Sequence, residues 1–189
     1  MFWGLMSKIQ DIDKYSFSSS DELLLDANIW LRVYGPQADV GNYQTRTYSM
    51  ALRKILTAKS RLHLDVLVLS EFINRWARLA YNRLPAEQRP GDFKAYRNGA
   101  LFKPVASSIS VVVRQILEHC RRIELGFETI DVTAILSDDA LGHSDFTDIM
   151  LAQLCKNRKL KFITHDADFK GFDIPLLTAN QNLLSSSCV

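Results

Sequence analysis

The chain has 189 residues, of which 47% are hydrophobic and 23% charged, so it can bury one sizeable core but is too short for two large domains. A net charge of +2 and a pI of about 8.4 do not demand a polyanionic partner. The three cysteines are far apart and lack the spacing of a metal or disulfide site, which favours a reducing cytoplasm. No segment has the pattern of a signal peptide or the length of a membrane span, so we expect a soluble, cytoplasmic protein.

An N-terminal arm is predicted over residues 1–21. It opens with an apolar stretch from Met1 to Met6 and is polar and serine-bearing over 7–21. The fold proper is expected to begin at Glu22, because the apolar run Leu23–Leu25 is typical of a short strand buried on both faces. Apolar residues at helical spacing then predict a helix over 42–59.

The middle of the chain is predicted from its apolar runs and its prolines. A strand is expected over 64–69, followed by Ser70 as the cap of a helix over 71–84. Residues 85–103 are rich in proline, glycine, arginine and asparagine, and predict a long loop or irregular short helices. Pro104 suits a first helical residue, and the pattern after it predicts a helix to about Ile123.

The last third alternates between strands and helices. Its predicted elements are a strand over 127–132, a short helical turn from Ala134, a helix introduced by 142–145 that runs to Arg158, a strand over 160–164 and an edge strand over 174–177. Apolar strands separated by helices favour a three-layer α/β/α sandwich with a mainly parallel central sheet over residues 22–180. Residues 181–189 are predicted to form a flexible tail.

Four acidic residues are expected at one edge of this sheet. Asp26, Glu71 and Asp166 each come just after a predicted strand, and the carboxyl ends of parallel strands form the functional crevice. Asp148 lies one turn inside a predicted helix, from which its side chain can point back to the same edge. We therefore predict that the four carboxylates converge.

Converging carboxylates repel one another unless a cation neutralises them, so a divalent metal is the simplest explanation of the cluster. Carboxylate oxygens suit hard ions such as Mg²⁺ and Mn²⁺, which usually take substrate phosphate as a further ligand. One ion, or two ions about 4 Å apart, would support hydrolysis of a phosphodiester bond. The acids therefore indicate a metal-dependent nuclease.

The segments around the acids carry a family resemblance over about residues 22–178. The four segments are Leu25-Asp26-Ala27-Asn28-Ile29-Trp30-Leu31, Ser70-Glu71-Phe72, Asp148-Ile149-Met150-Leu151-Ala152 and Phe162-Ile163-Thr164-His165-Asp166-Ala167-Asp168-Phe169. In order and rough spacing the sequence resembles the PIN-domain nucleases, particularly the VapC-type ribonuclease toxins of toxin–antitoxin pairs. The first and last segments are the more specific ones.

The resemblance implies a fold, a substrate and partners. RNA is the implied substrate, a small antitoxin would block the acidic pocket, and a homodimer would form through helices such as 42–59. The residues it implies for the site are the metal ligands Asp26, Glu71, Asp148 and Asp166, with Asn28 and Thr164 supporting them through hydrogen bonds. The chain is longer than a minimal toxin of this kind, at its N-terminal arm and over 85–103.

Each acid also has a plain structural interpretation. Asp145 is preferred as the cap of the helix that carries Asp148, and Asp168 as the cap of a short helical turn, so both are second-tier metal ligands. Asp148 and Glu71 could be ordinary first-turn acids of their helices. His143 and His165 are interpreted as surface or hydrogen-bonding residues, because a hard metal does not need histidine.

Basic residues after Glu71 have two interpretations. They could line a path for phosphates or form a solvated helix face; they are Arg75, Arg78, Arg83, Arg89, Lys94 and Arg97. Two other classes of function compete with a nuclease. One is an interaction module with little or no catalysis, and the other is an aspartyl phosphatase, which Asn28 disfavours because that chemistry needs an acid two positions after Asp26.

Overall fold

Six short strands form one sheet in the computed structural model, which describes residues 8–139 and 145–185. The strands are β1 (Ile9–Asp11), β2 (Glu22–Leu25), β3 (Arg61–Leu64), β4 (Cys120–Arg122), β5 (Lys161–Ile163) and β6 (Leu176–Thr178). Their spatial order is β1-β6-β5-β2-β3-β4, and every neighbouring pair is parallel. The prediction of a mainly parallel central sheet is confirmed.

Helices cover the sheet between the strands. They are α1 (Ala27–Tyr34), α2 (Tyr43–Thr57), α3 (Val66–Asn82), α4 (Phe93–Asn98), α5 (Phe102–His119), α6 (Val132–Asp139), α7 (Phe146–Arg158) and α8 (Gln181–Leu184). Helices α1–α5 pack against one another, and so do α6 and α7. The right-handed rule for parallel crossovers assigns these two groups to opposite faces of the sheet, in agreement with the predicted α/β/α sandwich. Among the described helices, none is long and apolar enough to cross a membrane.

The central strand β2 is buried on both faces, as its sequence predicts. Leu23, Leu24 and Leu25 are at most 1% exposed, and the neighbouring Phe162 and Ile163 of β5 are equally buried. A fully apolar strand is typical of a parallel sheet covered by helices on both sides. This burial fixes the position at which β2 ends, directly before Asp26.

Both ends of the chain contribute more structure than the sequence suggested. The predicted N-terminal arm is wrong for residues 9–11, which form the edge strand β1 beside β6. The edge strand predicted over 174–177 therefore becomes the second strand of the sheet, β6. The predicted flexible tail is wrong for 181–184, which form α8 with Leu183 fully buried. Three residues of strand and four of helix are too short for periodicity to reveal.

The prediction of a strand over 64–69 is also wrong, because only Leu64 of that range belongs to β3. Asp65 caps α3, accepting a hydrogen bond at Oδ1 from the backbone N–H of Leu67 at 2.8 Å. The apolar run after Asp65 therefore forms the first turn of a helix, and Ser70 lies inside that helix instead of capping it. Residues 85–103 contain a 3₁₀ turn at Ala86–Gln88 and α4, as irregular short helices.

The strand predicted over 127–132 is absent from that segment, which holds a 3₁₀ turn at Phe127–Thr129 and then enters α6. The strand lies earlier, at β4, where the helix predicted to reach Ile123 stops at His119. The sequence of β4, Cys-Arg-Arg, has no apolar run because it is an edge strand with one exposed side. Residues 142–144, predicted to introduce α7, lie outside the described part of the chain.

Asp21 lies directly before β2, at the opposite edge of the sheet from Asp26. Its hydrogen bonds hold the segment before β2 against the start of β5. Its carboxylate is 3% exposed and accepts hydrogen bonds from Tyr15 Oη at 2.8 Å, Ser18 N at 2.7 Å and Lys161 Nζ at 2.5 Å. Burial raises the pKa of Asp21, but the hydrogen bonds from Lys161, Ser18 and Tyr15 outweigh it, so the net pKa is lowered.

We expect Asp21→Asn to lower the free energy of unfolding by about 2 kcal/mol at pH 7, because it removes charge-assisted hydrogen bonds. A carboxyl group whose folded pKa is lowered stabilises the fold above its unfolded pKa, and that stability is lost as pH falls through the folded pKa. The deficit of the variant should therefore shrink below about pH 4. Urea denaturation at pH 7 and pH 3.5 measures both effects.

The matched control is Asp173→Asn, which removes the exposed ion pair with Lys8. Exposed pairs contribute little, so this variant should stay within about 0.5 kcal/mol of wild type at both pH values. Equal stability of the two variants at pH 7 would contradict the role given to Asp21.

Candidate active site

Asp26 lies directly beyond β2 and is 5% exposed. Its backbone N–H donates to the carbonyl of Ile163 at 3.0 Å, which extends the pairing of β2 with β5 by one residue. Its Oδ1 accepts the backbone N–H of Asn28 at 3.3 Å and thereby caps α1. Its Oδ2 accepts from Asn28 Nδ2 and from Thr164 Oγ1, both at 2.6 Å. The carboxylate is thus fixed in one orientation.

Thr164 connects two of the predicted acids. Its hydroxyl donates to Asp26 and accepts from the backbone N–H of Asp166 at 3.0 Å and from Asn28 Nδ2 at 3.2 Å. One donor and two acceptor positions are all that a hydroxyl offers, so this fully buried side chain is saturated. A change at Thr164 therefore disturbs both acids together.

Asp166 begins the 3₁₀ helix Ala167–Gly171, where its Oδ1 accepts the backbone N–H of Asp168 at 3.1 Å. The cap of this turn is thus Asp166, and the prediction that Asp168 caps it is wrong. Asp168 instead presents an exposed side chain to the cleft described below.

Glu71 reaches the site from α3 and does not follow a strand. Its side chain is 30% exposed and forms an ion pair with Arg75, one helical turn later, at 2.7 Å. The acid that does follow β3 is Asp65, which the sequence analysis did not identify. Asp65 is 1% exposed, its pKa is raised by burial, and its Oδ2 has no hydrogen-bond partner among the described residues.

Asp145 and Asp148 lie at the start of α7. Asp145 is the cap, because its Oδ1 accepts the backbone N–H of Asp148 at 2.9 Å, and the predicted capping role is confirmed. Asp148 is the third residue of the helix and is half-buried.

The acids from these different elements line one cleft of about 420 Å³. Its lining residues are Leu67, Ser70, Glu71, Asn74, Arg75, Arg78, Asp145, Thr147, Asp148, Asp166 and Asp168. The members from α3 recur at intervals of three and four residues, so one helical face forms that wall. Asp26 lies beneath the cleft, joined to Asp166 through Thr164.

The carboxylates repel one another across this cleft. Burial, and then the negative charges of Glu71 and Asp166, raise the pKa of Asp26 to about 6, although the hydrogen bond from Thr164 opposes this. Burial, and then the charges of Asp145, Asp26, Asp166 and Glu71, raise the pKa of Asp148 to about 7. The four predicted acids therefore lie within electrostatic range of one another.

The donor set fits a hard cation better than any other group. It consists of carboxylate oxygens with an excess of negative charge, which favours Mg²⁺ or Mn²⁺. Among the described residues, no three acidic, histidine or cysteine side chains already surround a common point at ligand distance. The fit therefore lies in the type and charge of the donors gathered around the cleft.

His165 belongs to a hydrogen-bond network behind the acids. Its Nδ1 pairs with Tyr48 Oη at 2.8 Å and its Nε2 with Gln44 Nε2 at 2.9 Å, so both ring nitrogens are occupied. Its backbone N–H donates to Asn28 Oδ1 at 3.3 Å. The hydrogen-bonding interpretation of His165 is confirmed, whereas His143 lies outside the described residues. Sequence reasoning missed Gln44 and Tyr48, since helical spacing alone does not show which polar residues face inward.

Comparison with known proteins identifies the family. The sequence profile of the PIN domain matches residues 23–175. The chain belongs to the PIN domain family. No curated protein matches it.

A solved structure supports the same fold. A chain in the crystal structure of VapBC2 from Rickettsia felis, bound to a DNA fragment from their promoter, superposes with a TM-score of 0.53 at 11% sequence identity. The alignment covers 83% of this chain and 98% of that chain. PIN domains are generally nucleases and generally use divalent metal ions, so membership supports hydrolysis of nucleic acid.

A substitution pair tests whether Thr164 supports a metal site. Thr164→Val and Thr178→Val each remove a fully buried hydroxyl at the end of a strand, and each should cost about 1–3 kcal/mol of unfolding free energy. Only Thr164→Val should weaken Mn²⁺ binding, by roughly 10- to 100-fold, because only Thr164 orients the acids. Urea denaturation and calorimetric Mn²⁺ titration separate the two effects. Unchanged Mn²⁺ affinity in a folded Thr164→Val protein would refute this role.

Proposed function

We propose that this PIN domain is an endoribonuclease that depends on Mg²⁺ or Mn²⁺ and hydrolyses RNA phosphodiester bonds. The metal ligands in this proposal are Asp26, Glu71, Asp148 and Asp166, with Asp145 and Asp168 as second-tier candidates. The observation that carries it is the gathering of carboxylates around one cleft from the ends of β2 and β5 and from α3 and α7, where burial and their mutual repulsion raise the pKa of Asp26 and Asp148. A divalent cation relieves that repulsion.

The residues around the cleft have separate roles in this proposal. Thr164 and Asn28 hold Asp26 in a fixed orientation, so little reorganisation is needed when a cation binds. Arg75 and Arg78 lie on the α3 wall of the cleft, as Glu71 does, and their positive charges can contact the phosphates of a bound strand. A divalent ion held by Asp26, Glu71, Asp148 and Asp166 would lower the pKa of a bound water and stabilise the leaving oxygen. Hydrolysis by water would leave a 3′-hydroxyl and a 5′-phosphate.

We further propose that the chain is the toxin of a toxin–antitoxin pair, held inactive by a small antitoxin that blocks the acidic cleft. The resemblance to VapC-type toxins and the likeness to a chain of a VapBC2 complex support this assignment. Homodimerisation through α2 fits the exposed apolar residues of that helix, Tyr43 at 55% and Met50 at 58%.

Cleavage of single-stranded and structured RNA tests the catalytic proposal. Wild type should cleave with Mg²⁺ or Mn²⁺ and stop on chelation. Asp26→Asn and Asp166→Asn should each lower the rate by about 100-fold or more, because changes in groups that only support metal ligands already cost 10- to 100-fold. Glu118→Gln, which neutralises an exposed acid on α5, is the matched control and should retain full activity.

The outcomes separate the competing hypotheses. Equal rates in wild type, Asp26→Asn and Asp166→Asn would overturn the nuclease assignment, and cleavage that survives chelation would overturn the metal mechanism. If the protein binds RNA or a protein partner without cleaving RNA, and if Asp26→Asn and Asp166→Asn leave that binding unchanged, the hypothesis of an interaction module without catalysis is favoured.

The second-tier acids have their own prediction. Asp145→Asn keeps an oxygen that can cap α7, so it should retain activity within about threefold if Asp145 only caps. Asp148→Asn should lose activity to the same degree as Asp26→Asn. The reverse pattern, with Asp145→Asn inactive and Asp148→Asn active, would make Asp145 the metal ligand. Initial rates at saturating Mn²⁺ provide the measurement.

A further inference from the structure

A second pocket of about 210 Å³, hereafter the arginine pocket, adjoins the acidic cleft. It lies between α1, α2, α3 and the loop that joins α1 to α2. Its lining residues are Asn28, Leu31, Arg32, Gln37, Asn42, Thr45, Arg75 and Leu79. The pocket contains two arginines and no acidic residue, so its charge is opposite to that of the cleft.

Arg32 is a half-buried cation without an anionic partner among the described residues. Its Nη1 donates to Gln44 Oε1, and its buried Nε–H has no acceptor. Burial and the positive charge of Arg75 both lower the pKa of Arg32. Partly desolvated guanidinium groups that repel one another are stabilised by an anion, just as the carboxylates of the cleft are stabilised by a cation.

The arginine pocket is joined to the catalytic acids by two of its own residues. Asn28 lines the pocket and donates to Asp26 at 2.6 Å. Arg75 lines both the pocket and the cleft, and it contacts Glu71 at 2.7 Å. A ligand that runs from the cleft along Arg75 would therefore enter the pocket.

The other residues of the arginine pocket provide groups that can contact one nucleotide of a nucleic acid strand. Leu31 and Leu79 supply apolar surface, and Gln37 supplies an exposed amide at the mouth. The N-terminus of α2 adds positive potential through the turn capped by Asn42. This combination of guanidinium forks, amides and apolar surface is typical of contacts to phosphate and sugar.

We propose that the arginine pocket binds a backbone phosphate of the RNA strand next to the bond that is cleaved. The proposal rests on the proposed function for its choice of RNA. It makes Arg32 and Arg75 substrate-positioning residues, which hold the strand so that the next phosphodiester lies over the acids. An acidic segment of a partner protein has similar charge, but RNA is favoured because the pocket shares Arg75 with the cleft and its Asn28 donates to Asp26.

Binding can be measured separately from cleavage. We would titrate a fluorescein-labelled, mixed-sequence 12-nucleotide RNA against the full chain carrying Asp166→Asn in Mg²⁺, at several salt concentrations, by fluorescence anisotropy. In that background, Arg32→Gln and Arg75→Gln should each raise Kd by about tenfold. Each should also lower the slope of log K against log salt by about 0.7, the value for one lost phosphate contact on a single strand.

Two further variants distinguish a loss of RNA binding from a loss of folding. Gln37→Glu places a negative charge at the exposed mouth of the pocket and should weaken binding without disturbing the core. Arg32→Lys keeps the positive charge but loses the planar guanidinium group, which can donate two hydrogen bonds to one phosphate. Its Kd should fall between those of the Asp166→Asn protein and of Arg32→Gln in that background. The controls are Arg53→Gln on the exposed face of α2 and Gln115→Glu on α5, and both should bind RNA as the parent does.

The possible results are decisive in both directions. An unchanged salt slope in Arg32→Gln, unchanged affinity in Gln37→Glu, or equal weakening by Arg53→Gln overturns the arginine pocket. Binding of an acidic peptide but not RNA, lost on Arg32→Gln, also overturns it and favours a protein partner. If wild type fails to cleave RNA while the pocket variants still lower the salt slope, the nuclease proposal fails and the pocket stands.

Discussion

The in-register parallel pairing of β2 with β5 is the constraint on which the candidate site depends. Leu25 is paired with Ile163, and the backbone N–H of Asp26 continues the ladder by donating to the carbonyl of Ile163. This register brings Asp26 within 2.6 Å of the Thr164 hydroxyl. A shift of one residue would turn the side chains of a strand to opposite faces and separate these two groups. The three buried leucines are bounded by Glu22 and Asp26, so such a shift would move a carboxylate into a position that a leucine now fills in the core.

The order of the strands explains why the cleft opens at this place. From β2 the chain proceeds to β3 and β4 on one side, and from β5 it proceeds to β6 on the other. The connections that leave β2 and β5 therefore run in opposite directions along the sheet, and a crevice forms between the carboxyl ends of these two strands. Asp26 and Asp166 lie at the two sides of that crevice. Asp65 occupies the same position after β3, but β3 lies on the far side of β2 from the crevice, and Asp65 is 1% exposed.

The sequence predicted the parts of the site that depend on local patterns. Asp26 and Asp166 were located because compact apolar runs predict β2 and β5 and because parallel strands end at one edge. Glu71 was placed for the wrong reason, since the run after Asp65 is helical and only the periodicity of α3 brings Glu71 to the cleft. The edge strands β1 and β4 could not be predicted, because three polar or half-exposed residues carry no alternating pattern. The sequence singles out Arg75 as a possible phosphate contact but not the arginine pocket as a whole, because the residues of the pocket come from three helices and a loop that meet only in the folded chain.

Asp65 and Asp26 show how one sequence pattern leads to two different outcomes. Each follows a buried strand, caps a helix through Oδ1 and has a pKa raised by burial. At Asp26 two side chains donate to the second oxygen, and further carboxylates lie nearby. At Asp65 the second oxygen is buried without a partner, and the acids of the cleft do not contribute to its raised pKa. A buried acid with fixed hydrogen bonds and anionic neighbours is stabilised by a cation, whereas an isolated buried acid is stabilised by a proton. The cap alone therefore does not single out Asp26 as a proposed metal ligand; the donors and charges around its second oxygen do.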